Sequence, residues 1–228
     1  MRRYGIPLFL GWLALAGIPH AVGAEAAPPA SPPADAAPAD SEAAPTTVDV
    51  KELMVAGPLG DEALGDPKAP VTVVEYVSMT CPHCARVHQT TIKALKSKYI
   101  DTGRVYFILR EFPLDDLALA AIMLARCAPP EKFFPSVDVM FELQDTWAFV
   151  DDPSPALTKV LQPMGFTDDS IKACFANQKI LDGVNWVHDR GEKLFGIEGT
   201  PTFFFNGQKQ VGELSIDDVD QIIAPMLK

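Results

Sequence analysis

The sequence predicts an α/β domain in which a helical insertion separates the strands of one sheet. Three observations lead there. Val71–Val77 reads Val-Thr-Val-Val-Glu-Tyr-Val, apolar on both alternating faces, as a strand buried in mid-sheet must be. A stretch of helical spacing and a second alternating strand follow, which together make a βαβ unit. Near the end of the chain, Thr202–Phe205 and Gln210-Val211 flank Asn206-Gly207, a strong hairpin signal. The 228 residues, 48% hydrophobic and 21% charged, suffice for one ordinary core with accessory segments.

The elements follow in chain order. Arg2 and Arg3 precede an apolar run of 11 residues (8–18) between Pro7 and Pro19, and Val22-Gly23-Ala24 supplies small residues. This is the layout of a secretory signal peptide over 1–24, cleaved after Ala24. A retained anchor is the alternative, but the run falls well short of the ~20 residues a spanning helix needs. Export places the protein outside the cytosol. Residues 25–46 contain 15 Ala or Pro among 22 and bury too little apolar surface to fold, so 25–47 is expected to be a disordered linker. The folded domain is expected over 48–228.

Val71–Val77 is followed by a helix over 82–98, with Val87, Ile92 and Leu95 at helical spacing. The strand over 104–110 alternates at Val105, Phe107 and Leu109. Residues 114–197 carry four or five helical patterns broken by Pro129-Pro130, Pro153 and Pro163, and form the insertion. The last helix spans 216–224, with Ser215 as its N-cap and Pro225 at its end.

The formal net charge is −11. Without a block of Lys or Arg, nucleic acid and anionic membrane surfaces are poor partners. The four cysteines fall in two groups, Cys81/Cys84 and Cys127/Cys174. In an oxidising compartment a C-x-x-C is either redox-active or a metal site. Cys81 stands at the strand–helix junction, where unpaired N–H groups and the helix dipole favour a thiolate. Pro82 fits the first helical turn. His83 can stabilise the thiolate by charge or by N–H donation. Cys84, one turn on, is placed to resolve a mixed disulfide. The competing readings are a static disulfide and a zinc corner. The second needs four ligands, and Cys127, Cys174 and His88 offer no second short ligand pair.

Glu75 shares its strand face with Val71, Val73 and Val77 and is expected to be desolvated, with a raised pKa, passing protons to or from Cys84. The plainer alternative is a surface carboxylate at a strand end. Pro201 in Gly199-Thr200-Pro201-Thr202 opens a core strand, which invites a cis bond or marks simple strand entry.

Together, Glu75, Cys81-Pro82-His83-Cys84, the helical insertion and Thr200-Pro201 resemble the DsbA-like branch of the thioredoxin superfamily, the periplasmic disulfide oxidases. The segments Gly65-Asp66-Pro67-Lys68-Ala69-Pro70-Val71 and Arg110-Glu111-Phe112-Pro113-Leu114 are similar to members of the alphaproteobacterial type. The resemblance implies a thioredoxin fold over 48–228, with the insertion over about 114–197. It also implies attack by Cys81, resolution by Cys84, proton transfer by Glu75, and a cis-Pro201 loop on which Thr200 offers its backbone to substrate. No cofactor is implied beyond the Cys81–Cys84 disulfide, and no metal. The implied partners are reduced or unfolded exported proteins and a membrane DsbB-like reoxidising protein, met by a periplasmic monomer.

Two departures stand out. Thr200 precedes the proline as in disulfide isomerases, where the best-known oxidases carry Val, so isomerase or reductase activity stays open. Residues 25–47 are, however, too short and too rich in Ala and Pro for the dimerisation domain that isomerases usually carry. A holdase or thiol-based metal carrier that keeps the motif is a third possibility. Cys127 and Cys174 are absent from the simplest members. Paired, they close a loop of about 48 residues, worth ~4 kcal/mol; otherwise they are two buried thiols.

Overall fold

The computed structural model describes residues 47–228. The expected signal peptide, and all of the expected linker except Thr47, lie outside the described residues. Five strands form one sheet: β1 (Glu62–Leu64), β2 (Val71–Val77), β3 (Val105–Glu111), β4 (Thr202–Phe205) and β5 (Gln208–Val211). They lie in the order β1-β3-β2-β4-β5, with β2 and β3 parallel and the other pairs antiparallel. β2 is therefore central, which explains why neither of its faces could be polar. Asn206 and Gly207 both take positive φ, 46° and 87°, as a tight hairpin turn between β4 and β5 requires.

Before the sheet stands a single-turn helix, α1 (Val50–Leu53). A continuous helical run over 82–100, here α2, joins β2 to β3. It begins as an α-helix (Pro82–Val87) but widens to π geometry at His88–Ile92 and again at Lys96–Ile100. The insertion consists of α3 (Asp116–Cys127), α4 (Phe133–Glu142), α5 (Pro153–Leu161), α6 (Asp168–Phe175) and α7 (Gln178–Phe195), with short helical turns at Pro130–Lys132, Gln144–Trp147 and Gln162–Met164. The capping residues are those that orphaned N–H groups demand. Asp115 accepts from Ala118 N at 2.7 Å, and Thr167 with Ser170 forms a capping box on α6. The final helix, α8 (Ile216–Ile223), starts at a Ser215–Asp218 capping box. One 3-10 turn, Ala224–Leu227, then carries the chain past Pro225.

The sheet has two apolar faces. On one, Val71, Val73, Val77, Phe107, Leu109, Phe203 and Phe205 pack under α2 and most of the insertion. On the other, Val74, Tyr76, Ile108, Phe112 and Phe204 meet Leu53 of α1 and Val187 and Phe195 of α7. α7 sits close to the sheet because it has Gly191 there; a Cβ at that position would stand 3.1 Å from the Tyr76 ring. The buried Arg110 on β3 ties down the segment before β2, donating to Leu53 O at 2.7 Å and to Asp61 at 3.0 Å. Arg126 of α3 likewise joins the insertion to the sheet through the carboxylates of Glu111 on β3 and Glu62 on β1. Next to it, Cys127 is bonded to Cys174 of α6 with the Cα atoms 5.9 Å apart, which links the two helices covalently.

Candidate active site

Cys81 is the N-cap of α2 and Pro82 follows in the first turn, so the thiol sits over N–H groups that the helix itself cannot satisfy. Cys84 N donates to Cys81 Sγ at 3.4 Å. Both cysteines are reduced and buried, and Cys84 is wholly shut off from solvent. A hydrogen bond from the Cys84 thiol lowers the Cys81 pKa to about 5, against the opposing effect of burial. The backbone N–H groups of Cys84 and His83 add to the lowering. Cys84 moves the other way: burial, then the neighbouring Cys81 and the charge of Glu75, push its thiol well above the ordinary value. One sulfur is thus a ready nucleophile and the other a reluctant one.

The loop between α7 and β4 completes the site. The Thr200–Pro201 bond is cis, and Thr200 O lies 3.2 Å from Cys81 Sγ. That carbonyl, expected to serve substrate, faces the attacking sulfur.

The ring of His83, expected on the Cys81 thiolate, points elsewhere. Its side chain is 59% exposed and meets the carboxylate of Glu213, with Arg86 bridging the two. A bidentate guanidinium one helical turn away holds the acid, and with it the imidazole, away from the sulfur. Arg86 first, then His83, bring Glu213 down to about 2. The backbone N–H of His83 is among the groups that lower the Cys81 pKa.

Glu75 is fully buried on β2, on the face turned to α2. It has a partner that the strand pattern could not supply: His88 Nε2 lies 3.1 Å from Glu75 Oε2, and His88 is buried too. His88 follows Cys84 by four residues, the spacing that puts two side chains on one helix face, and this is the signal that could have found it. Burial pulls the His88 pKa down, but Glu75 and Asp138 outweigh it and hold it at about 9.

Gln144 also escaped notice. Buried in the turn Gln144–Trp147, it donates through Nε2 to Met79 O at 2.8 Å and to Cys81 O at 3.1 Å. The insertion thereby grips the loop that carries the nucleophile. Cys81 O also accepts from Ala85 N, so we expect Gln144→Leu to leave Met79 O unpaired and cost about 1–3 kcal/mol, read as a lower midpoint in urea unfolding.

Among the described residues, the clustered candidate metal ligands are His188, Asp189 and Glu192 on α7, the first half-buried and the two acids exposed. Cys127 and Cys174 are bonded to each other. What the Cys81/Cys84 pair can do is exchange disulfides: attack through one thiolate and resolution through its neighbour.

Comparison with known proteins agrees with this geometry. A family model described as thioredoxin matches residues 59–224. A protein of Rickettsia typhi named as a protein-disulfide oxidoreductase is 37% identical over 164 residues, 72% of this chain and 60% of its own length. A counterpart in Rickettsia conorii is 37% identical over 173 residues, 74% of this chain and 61% of its own. The chain thus spans about three fifths of these relatives. Among solved structures, alpha-DsbA1 of Wolbachia pipientis aligns with a TM-score of 0.72 and 30% identity, over 78% of this chain and 96% of that one. BdbD of Bacillus subtilis, 19% identical with a TM-score of 0.63 over 79% of this chain and 96% of that one, shares the fold. The chain belongs to the DsbA-like branch of the thioredoxin superfamily.

Proposed function

We propose that the protein is an exported thiol–disulfide oxidase that passes the Cys81–Cys84 disulfide to reduced proteins in the periplasm. The observation that carries this reading is the unequal pair: Cys81 Sγ is held as a thiolate over the N-terminus of α2 while Cys84 is buried behind it. A stabilised thiolate stabilises the reduced form, and a stable reduced form makes a strongly oxidising disulfide. A substrate thiolate attacks Cys81, Cys84 leaves and takes up a proton, and the second substrate thiolate then expels Cys81 as its thiolate. The substrate gains a disulfide and the protein holds one thiolate and one thiol. A membrane DsbB-like partner is the proposed source of reoxidation, acting on a monomer. Among the described residues, no helix is long and apolar enough to cross a membrane.

The test is the equilibrium potential of the couple against glutathione across pH. Reduction takes up two electrons and, between pH 5 and the raised pKa of Cys84, one proton. Below pH 5 it takes up two. The potential is therefore expected to fall about 30 mV per pH unit above pH 5 and about 59 mV below it. The sign follows from the depressed pKa. Thiolate stabilisation of the reduced form is fully present above the ordinary thiol range, shrinks as pH drops toward 5, and is gone below it. A potential well above the glutathione couple at pH 7 supports the oxidase. A potential at or below that couple would favour the second reading, an isomerase or reductase, to which Thr200 beside Pro201 points.

A further inference from the structure

We propose that Glu213 is a positioning residue that limits the oxidising power of the Cys81–Cys84 couple, by occupying His83 and Arg86, the two side chains near the start of α2 able to support the Cys81 thiolate. Glu213 lies in the loop between β5 and α8, and the residues on both sides of it are pinned. Gly212 N donates to Pro201 O at 2.8 Å, which ties the loop to the cis-proline. On the other side, Leu214 O accepts from Thr91 Oγ1 of α2 at 2.6 Å. The carboxylate between these anchors is presented to the beginning of α2.

There it takes up both side chains at once. Arg86 Nε donates to Glu213 Oε1 and Oε2 at 3.1 Å each, and Arg86 Nη2 donates to Oε1. His83 Nδ1 meets the same Oε1, and Arg86 Nη2 lies 2.7 Å from that nitrogen. All three side chains are at least 38% exposed, so the cluster adds little to stability. Its effect is on the charge next to the reacting sulfur. Arg86 holds its proton more tightly chiefly through Glu213, and in smaller part through the Cys81 thiolate, which places the guanidinium within electrostatic reach of that sulfur. Arg86 also lines a small hollow beside Pro82 and Ala85, where it is the one cation against Glu142 and Asp145.

With Glu213 in place, the guanidinium is largely neutralised and the imidazole is held by a carboxylate. Take the carboxylate's charge away, and one positive charge and one N–H donor are released to the thiolate. A better stabilised thiolate makes the reduced form more stable and the disulfide more oxidising. Glu213 thus keeps the couple short of the oxidising power its own helix could give it. The inference rests on disulfide exchange at Cys81 and Cys84, and concerns where the equilibrium of that exchange lies.

The experiment equilibrates the purified protein at neutral pH with fixed ratios of glutathione and glutathione disulfide, blocks free thiols, and weighs both forms by mass spectrometry. Two glutathione thiols reduce one protein disulfide and leave as glutathione disulfide. In Glu213→Gln the ratio of reduced to oxidised protein should rise roughly twofold to tenfold over wild type, the size expected of an exposed charge acting through solvent. The ultraviolet absorbance of the Cys81 thiolate should persist to correspondingly lower pH. Adding Glu213→Gln to a His83→Gln/Arg86→Gln protein should move the ratio by less than about twofold, because the carboxylate then has nothing to hold. An equal shift in that background would mean that the carboxylate acts on the sulfur directly, and would overturn the positioning role. A ratio changed by less than twofold in Glu213→Gln, with or without a lower Tm, would overturn it too, as would a shift toward the oxidised form. If Glu213→Gln does not fold, Glu213→Ala decides by the same thresholds. A wild-type couple at or below glutathione would reject the oxidase reading but leave this comparison intact. A wild type that never equilibrates with glutathione would sink the exchange activity and this inference with it.

Discussion

Cys84→Ser protein offered reduced, unfolded proteins together with an oxidant accumulates mixed disulfides through Cys81, whereas Cys81→Ser protein forms none and exchanges disulfides no faster than buffer. The asymmetry follows from the site. Cys81 caps α2 with a lowered pKa while Cys84 is fully buried with a raised one, so the first bond is expected at Cys81 alone. Serine at 84 leaves that thiolate in place but removes the sulfur that would free it. Non-reducing gels with thiol-blocking quench read the outcome. Trapping through Cys84 in the Cys81→Ser protein would reverse the assignment of roles. Client capture that survives Cys81→Ser without any mixed disulfide would instead support a holdase.

The second large effect is on stability. The Cys127–Cys174 bond spans a sequence separation of 47 and joins α3 to α6. Replacing both cysteines by serine should cost ~4 kcal/mol, the closure entropy of such a loop. For a domain of this size that is a fall in Tm of roughly 8–16 °C. At 25 °C the rate of exchange with glutathione should be unchanged, because Gln144 and the sheet still hold the Cys81 loop. A loss below 1 kcal/mol in calorimetry would mean that helix packing alone fixes the insertion.

These two predictions draw on different depths of the sequence. The central strand could be read to the residue, because a segment buried on both sides is apolar on both faces, and Val71–Val77 is so apart from Thr72 and Glu75. Glu75 stood out against that background for the same reason. Its partner did not, since nothing in a strand says which helix residue will lie over it; only the Cys84–His88 spacing hinted at a shared face. β1 was invisible: Glu-Ala-Leu is too short and too half-buried to alternate, and it becomes a strand only by pairing with β3. The π turns of α2 leave no mark on hydrophobic spacing over five residues. His83 shows the limit of reading a motif alone, because its ring orientation is decided by Glu213, 130 residues away.

The sheet's two outer strands have a consequence for life among unfolded chains, the company this protein is proposed to keep. β1 is three residues long and carries Glu62, itself engaged by Arg126. β5 is four residues long and polar, with Lys209 on it, and its outer side is bridged at Gln208 by Thr47. Short, charged, partly covered rims give a stray extended segment nowhere to continue the ladder. A protein proposed to meet unfolded chains thus offers them little free strand edge on which to pair.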